Sequence, residues 1–167
     1  MNEPRKMHVK RANAPLYTAK AQISAANLMI TTCDFFNQDY RGAVMAEYTP
    51  PYGGSVYVSH EALAYFFNQL LSSVFGDTTV FIKMITEGNR FEIECKFKST
   101  REIEPLQRFR LSKIANDAGF RFSFSDNGEE TTVDLYTRLH LPQTLVIYSV
   151  NVANVKNALA KYLIVDE

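Results

Sequence analysis

The sequence predicts an α/β two-layer sandwich, a mixed and mostly antiparallel sheet with helices on one face. Three observations carry this. Between Ser59 and Gly76, residues Leu63, Phe66, Phe67, Leu70, Leu71 and Val74 recur at helical spacing and make one apolar stripe. From Val80 to Phe97 the period changes to two: Phe91, Ile93, Cys95 and Phe97 share one face and Glu92, Glu94 and Lys96 the other, as in a strand buried on one side. Asp126-Asn127-Gly128 then separates two further alternating runs, which is a hairpin signal.

The chain has 167 residues, 46% of them hydrophobic, enough for one well-filled core and too few for two. Eighteen basic residues balance eighteen acidic ones, which argues against a protein built to grip nucleic acid through its phosphates. The N-terminal arm, residues 1–15, is locally basic (Arg5, Lys6, His8, Lys10, Arg11) and reads as a frayed, solvated end. Cys33 and Cys95 have neither Cys-x-x-Cys spacing nor a nearby histidine, so buried thiols in a reducing cytoplasm are expected. No apolar run reaches the length of a membrane span, and the expectation is a cytoplasmic domain without membrane contact.

Taken in order, Leu16, Ala19, Ile23, Ala26, Ile30 and Cys33 step by three and four, predicting a first helix over Leu16–Phe36. Ala43–Tyr48 reads as a strand stopped by Pro50-Pro51, and Val56–Val58 as a short extended segment. The central helix follows, with Ser59 as N-cap and Gly76 after its last turn. Strands over Val80–Ile85 and Phe91–Phe97 flank a Glu87-Gly88-Asn89 turn. Pro105 opens a helix that buries Leu111, Ile114, Ala115 and Ala118 and stops at Gly119. Phe120–Phe124 and Thr131–Leu139 form the hairpin; Leu145–Tyr148 reads as a strand and Val152–Leu163 as a last helix. The main domain thus spans 16–141, and 142–167 extends it, either covering a sheet edge or mediating self-association as a homodimer.

With these elements placed, the chain resembles the ATP-binding domain of histidine kinases, the GHKL fold shared with anti-sigma kinases, over roughly Ile23 to Leu139. Three stretches carry the resemblance: Val56-Tyr57-Val58-Ser59 leading into Phe67-Asn68-Gln69-Leu70-Leu71-Ser72-Ser73; Leu111-Ser112-Lys113-Ile114-Ala115 running to Ala118-Gly119-Phe120; and Asn127-Gly128-Glu129-Glu130-Thr131-Thr132-Val133. In the family these are the N box, the helix and strand after the ATP lid, and the turn that closes on the nucleotide.

The resemblance implies a nucleotide cleft at Gln69, Ser73, Glu130 and Thr131, and the residues there depart from the family pattern. Gln69 stands where the family has a general base or water-positioning group, and an amide accepts no proton. Ser73 replaces the magnesium-holding asparagine and is a poorer ligand. The family's Asp-x-Gly-x-Gly box has no counterpart, because residues 89–116 contain neither aspartate nor glycine. Glu104–Arg110 stands in place of the glycine-rich lid hinge, and Glu130 in place of the glycine before Thr131, a carboxylate toward any phosphate. The dipeptide His60-Glu61 lies at the start of the central helix, away from the family's phosphoacceptor; Glu61 suits a first helical turn and His60 reads as surface.

The expected function is therefore a non-catalytic, degenerate histidine-kinase-type ATPase-like domain. It would act as a regulatory or protein-interaction module in bacterial signal transduction, with no catalytic residue, metal or cofactor. The competing expectation is a divergent ATP-binding domain of a histidine kinase or anti-sigma-type kinase that uses Mg-ATP. A third, an unrelated fold binding a small molecule, has no sequence feature in its favour.

Overall fold

The computed structural model describes residues 7–9, 19–51, 53–141 and 152–165. Its elements, in chain order, are β1 (Met7–Val9), β2 (Ala21–Ser24), α1 (Ala25–Asp39), β3 (Val44–Tyr48), β4 (Ser55–Val58), α2 (His60–Ser72), β5 (Val80–Glu87) and β6 (Arg90–Phe97). They continue with α3 (Pro105–Ala118), β7 (Arg121–Asp126), β8 (Thr131–Arg138), α4 (Val152–Tyr162) and β9 (Leu163–Val165).

A five-stranded sheet of order β3-β5-β6-β8-β7 is antiparallel except for the β3–β5 pair. Its pleat sorts the side chains cleanly. Val80, Ile82, Met84, Phe91, Ile93, Cys95, Phe97, Val133 and Leu135 are buried on the face covered by helices, while their sequence neighbours reach solvent. The same core holds Phe66 and Leu70 of α2 and Ile114 of α3, so the helices share one face, as the sequence predicts.

Capping chemistry sets the helix ends. Ser59 Oγ accepts from Ala62 N at the start of α2. Pro105 opens α3, where a missing amide hydrogen costs nothing, and Gly119 ends it in the left-handed conformation at φ +100°. An added Cβ at Gly119 would stand 2.8 Å from the Tyr57 carbonyl oxygen, so glycine also permits the close pass of β4.

The first helix differs from the sequence reading. Ala21–Ser24 is a strand antiparallel to β4, and the helix starts only at Ala25, with Ser24 Oγ accepting from Asn27 N. Its buried positions are Ala25, Leu28, Met29, Thr31, Thr32, Cys33, Phe35 and Phe36, so Cys33 of the expected stripe is buried, whereas Ile30 is 40% exposed. Ile23 is buried, but from a strand. Leu16 lies outside the described residues.

At the other end, α4 packs against α1 and α2 and so covers helices, where the sequence reading offered a sheet edge or self-association. Val155, Ala158, Leu159 and Tyr162 are its buried side. The chain then continues into β9, which pairs with β1, so Met7–Val9 of the basic arm is tied down and not frayed. The expected strand Leu145–Tyr148 lies outside the described residues. No described helix is long and apolar enough to cross a membrane.

Candidate functional site

The C-terminal end of α2, the connection 98–104 and the first turn of α3 enclose a cleft of about 370 Å³. The central helix buries Leu63, Phe66, Phe67, Leu70 and Leu71 and thereby turns Gln69 and Ser73, four residues apart, toward α3. The facing side chain is Gln107. It extends the buried stripe of α3 (Leu111, Ala115, Ala118) by one turn toward the N-terminus.

Hydrogen bonds close the gap between the two helices. Gln107 donates Nε2–H to Ser73 Oγ at 2.8 Å, and Ser73 Oγ donates to the Gln69 carbonyl at 2.7 Å. The Ser73 hydroxyl therefore uses its proton and one lone pair inside the protein. The Gln69 amide does not enter the cleft as a free group either. It donates to Asn68 Oδ1 at 3.1 Å, and the buried Asn68 donates in turn to the Tyr162 carbonyl of α4 at 2.5 Å.

The connection 98–104 is fastened to the loop that follows α2. Thr100 N donates to the Phe75 carbonyl at 2.8 Å, Phe75 N to Ser99 Oγ at 3.1 Å, and Lys98 N to Thr78 Oγ1 at 3.3 Å. Gly76 makes the contact close: a Cβ there would meet Thr100 Cγ2 at 2.7 Å. Arg101 lies over the Phe75 ring at 4.9 Å, and Ile103 is buried beneath the connection. Charge in the cleft is mixed, since Glu102 and Glu104 line it together with Arg101.

Of the four residues predicted for the cleft, Gln69 and Ser73 line it, and Glu130 and Thr131 do not. Thr131 is buried in β8, opposite Phe97 on one side and Asp126 on the other. Glu130 belongs to a turn that satisfies itself: Asn127 Oδ1 accepts from both Glu129 N and Glu130 N. Arg108 leaves the cleft to lie over Phe124 at 5.0 Å, and Arg110 is exposed. Gln107 was not anticipated from the sequence.

Elsewhere, His60 is half-buried and not the surface residue expected; burial lowers its pKa below the ordinary value, against the opposing effect of Glu61. Cys33 and Cys95 are both buried, and burial pushes both thiols up, Cys33 to about 12. Among the described residues no group of three or more His, Cys, Asp or Glu side chains could hold a metal ion.

No family model matches the chain, and no curated protein matches it in sequence. Solved structures do match it in fold. The histidine kinase domain of the E. coli osmosensor EnvZ superposes with a TM-score of 0.55 at 10% identity, over 84% of this chain and 100% of that one. The catalytic domain of the histidine kinase ThkA, in a nucleotide-free form, gives 0.53 at 8% identity over 72% of this chain and 97% of that one. Histidine kinase AdeS of Acinetobacter baumannii gives 0.50 at 9% identity, over 74% and 69% respectively. At such identities the likeness is one of fold: the chain has the architecture of a histidine-kinase-type ATP-binding domain.

Proposed function

We propose that this histidine-kinase-type fold serves here as a non-catalytic, cytoplasmic module that binds a protein partner in bacterial signalling and takes up no nucleotide. The bond between Gln107 and Ser73 is the observation that carries the reading. It joins α2 to α3 at the position where the resemblance puts the magnesium-holding side chain, and it commits the Ser73 hydroxyl that stands there. Three further features support it. The 98–104 connection is bonded to the loop after α2, Glu102 and Glu104 bring like charge toward any phosphate, and residues 89–116 have no aspartate for an adenine amino group. Where the resemblance puts the magnesium ligand stands the neutral Ser73 hydroxyl, already bonded within the protein and a poor ligand for magnesium; the cleft's carboxylates, Glu102 and Glu104, come from the 98–104 connection and not from α2.

Thermal denaturation with and without Mg-ATP tests this. A ligand at about one hundred times its Kd stabilises the native state by roughly 2.7 kcal/mol, worth several degrees in Tm for a chain of this length. The expected shift is none. A saturable, magnesium-dependent rise that Ser73→Ala abolishes would overturn the proposal in favour of a divergent working ATP-binding domain.

A further inference from the structure

Away from that cleft, the outer face of the sheet gathers three arginines at one end. Arg90 opens β6 and lies directly opposite Arg138 at the end of β8, while Arg121 opens β7 opposite Tyr136. All four share the outer face, because Phe91 and Leu135 point into the core and Phe122 packs against it. Together with Asn89, and with Thr137 and Gly119 from the helix-covered side, they line an open concavity of about 400 Å³ at this end of the sheet.

The three cations are not alike. Arg90 is held by Glu92 at 3.6 Å and Asp134 at 3.7 Å, and its guanidinium lies 4.1 Å from the centre of the Tyr136 ring. Neither Arg121 nor Arg138 has an ion pair among the described residues. Like charges directly across a strand pair destabilise a sheet, so the Arg90–Arg138 register costs the free protein something that a bound anion would return.

We propose that this concavity is a binding site for one phosphoryl group. Two uncompensated guanidiniums match the two charges of a phosphate dianion, and planar forks suit a tetrahedral oxyanion that offers several oxygens. Arg90, already braced by Glu92, Asp134 and Tyr136, sets the third wall. The site is too small for a nucleic-acid track, whose affinity needs many phosphate contacts, in a chain whose net charge is zero. It is independent of the Gln69–Ser73 cleft, and its ligand need not be a nucleotide.

Calorimetric titration of the full chain with inorganic phosphate, O-phosphoserine and acetate, at low salt, tests the site. Phosphate and phosphoserine bind saturably, and acetate binds at least roughly tenfold more weakly. Losing one charge-assisted fork, in Arg121→Gln or Arg138→Gln, weakens phosphate binding by about tenfold or more, while Arg110→Gln on α3 leaves it unchanged. Phosphoserine tighter than phosphate identifies an esterified group as the ligand; the reverse order identifies the free ion. In phosphate-free buffer Arg138→Gln melts no lower than the parent, since it removes a like-charge pair. If a glutamine variant does not fold, Arg121→Lys and Arg138→Lys, which keep the charge without the fork, give the same loss in smaller degree. Absence of saturable binding, acetate equal to phosphate, or binding undiminished in the Arg121 and Arg138 variants overturns the proposal.

Discussion

Asn68 and Tyr162 are joined by a buried hydrogen bond, Nδ2–H to carbonyl, between residues 94 positions apart in the chain. Because Asn68 also accepts from the Gln69 amide, the helix lining the cleft and the C-terminal helix share one polar connection inside an apolar contact. Tyr65 adds a ring contact to Tyr162 with centroids 5.5 Å apart. The docking of α4 on α2 is thus specified by chemistry at a fixed register and not by apolar surface alone.

Replacing Asn68 by Leu strands the Tyr162 carbonyl without a donor. A buried acceptor left unpaired costs about 1–3 kcal/mol, which at this chain length lowers Tm by roughly 2–12 °C. Calorimetric melting of Asn68→Leu checks this, and a variant that melts with the parent would show that the bond contributes nothing to docking α4.

The edge strand β3 is closed by a side chain. Asn37 of α1 donates Nδ2–H to the Ala46 carbonyl at 2.8 Å and accepts the Ala46 N–H on Oδ1 at 3.0 Å, pairing both outward backbone groups of that residue. An edge with free groups is a template for another strand. Asn37→Ala therefore loses about 1–2 kcal/mol and self-associates more readily on warming. Melting followed by light scattering reads both effects; unchanged scattering at equal Tm would refute the edge-covering role.

Where local chemistry sets an element's ends, the sequence was enough. Ser59, Pro105 and Gly119 are capping residues with fixed stereochemical roles; α2 begins beside Ser59 and α3 runs from Pro105 to Gly119, whereas α2 ends at Ser72, short of the expected stop at Gly76. The start of the chain is harder, because Ile23 is apolar and fits a helical step, yet its burial comes from pairing with Val56, more than thirty residues on. Only Ser24, a capping residue followed by good helix spacing at Ala25, Leu28 and Phe36, signals the true start. The β1–β9 pair joins the two ends of the chain, and nothing local in either three-residue strand announces it. In the cleft, Gln69 and Ser73 were legible from their i, i+4 spacing. Gln107 was not, because a polar residue reads as surface, although it stands four positions before Leu111 on the same stripe. Glu130 and Thr131 were placed by resemblance, and the Asn127 side chain gathers that turn onto itself instead.

Asp134 makes stability depend on pH. Burial first, and then the adjacent Glu92, push its carboxyl up to about 7, with Glu94 adding to the rise and Arg90 opposing it. Lys96 sits one row further on, paired with Glu94 at 3.5 Å. A carboxyl with a higher pKa folded than unfolded holds its proton more tightly in the fold. Its contribution is therefore fully present below about pH 4, the unfolded value, and is lost as pH rises through the folded one. Asp134→Asn should be more stable than the parent at pH 8, by roughly 1–3 kcal/mol, with the difference shrinking toward pH 5. Chemical denaturation at both pH values measures it. A difference independent of pH would mean that Asp134 titrates normally.

Two glycines with similar backbone angles separate conformational strain from close packing. Gly128 has φ +87° with nothing within 4 Å of an added Cβ, whereas Gly119 has φ +100° and would bring a Cβ to 2.8 Å from the Tyr57 carbonyl oxygen and 3.3 Å from Val58 Cα. Both are backbone atoms of β4, which pairs with β2 and leads into the capping Ser59, so they cannot swing aside as a side-chain tip can. Gly119 N–H also caps α3 through the Ala115 and Asn116 carbonyls, and Ala118 O accepts from Ser59 N. A shift there would disturb the ends of two helices at once. Gly128→Ala should cost only the left-handed penalty, about 1–2 kcal/mol, and leave the hairpin intact. Gly119→Ala should cost that plus the displacement of β4, roughly 3 kcal/mol or more in total, as for other overpacked contacts. Denaturant titration of the two variants side by side gives the comparison. Equal losses would show that β4 yields freely and that the contact between Gly119 and Tyr57 does not hold α3 against the strand.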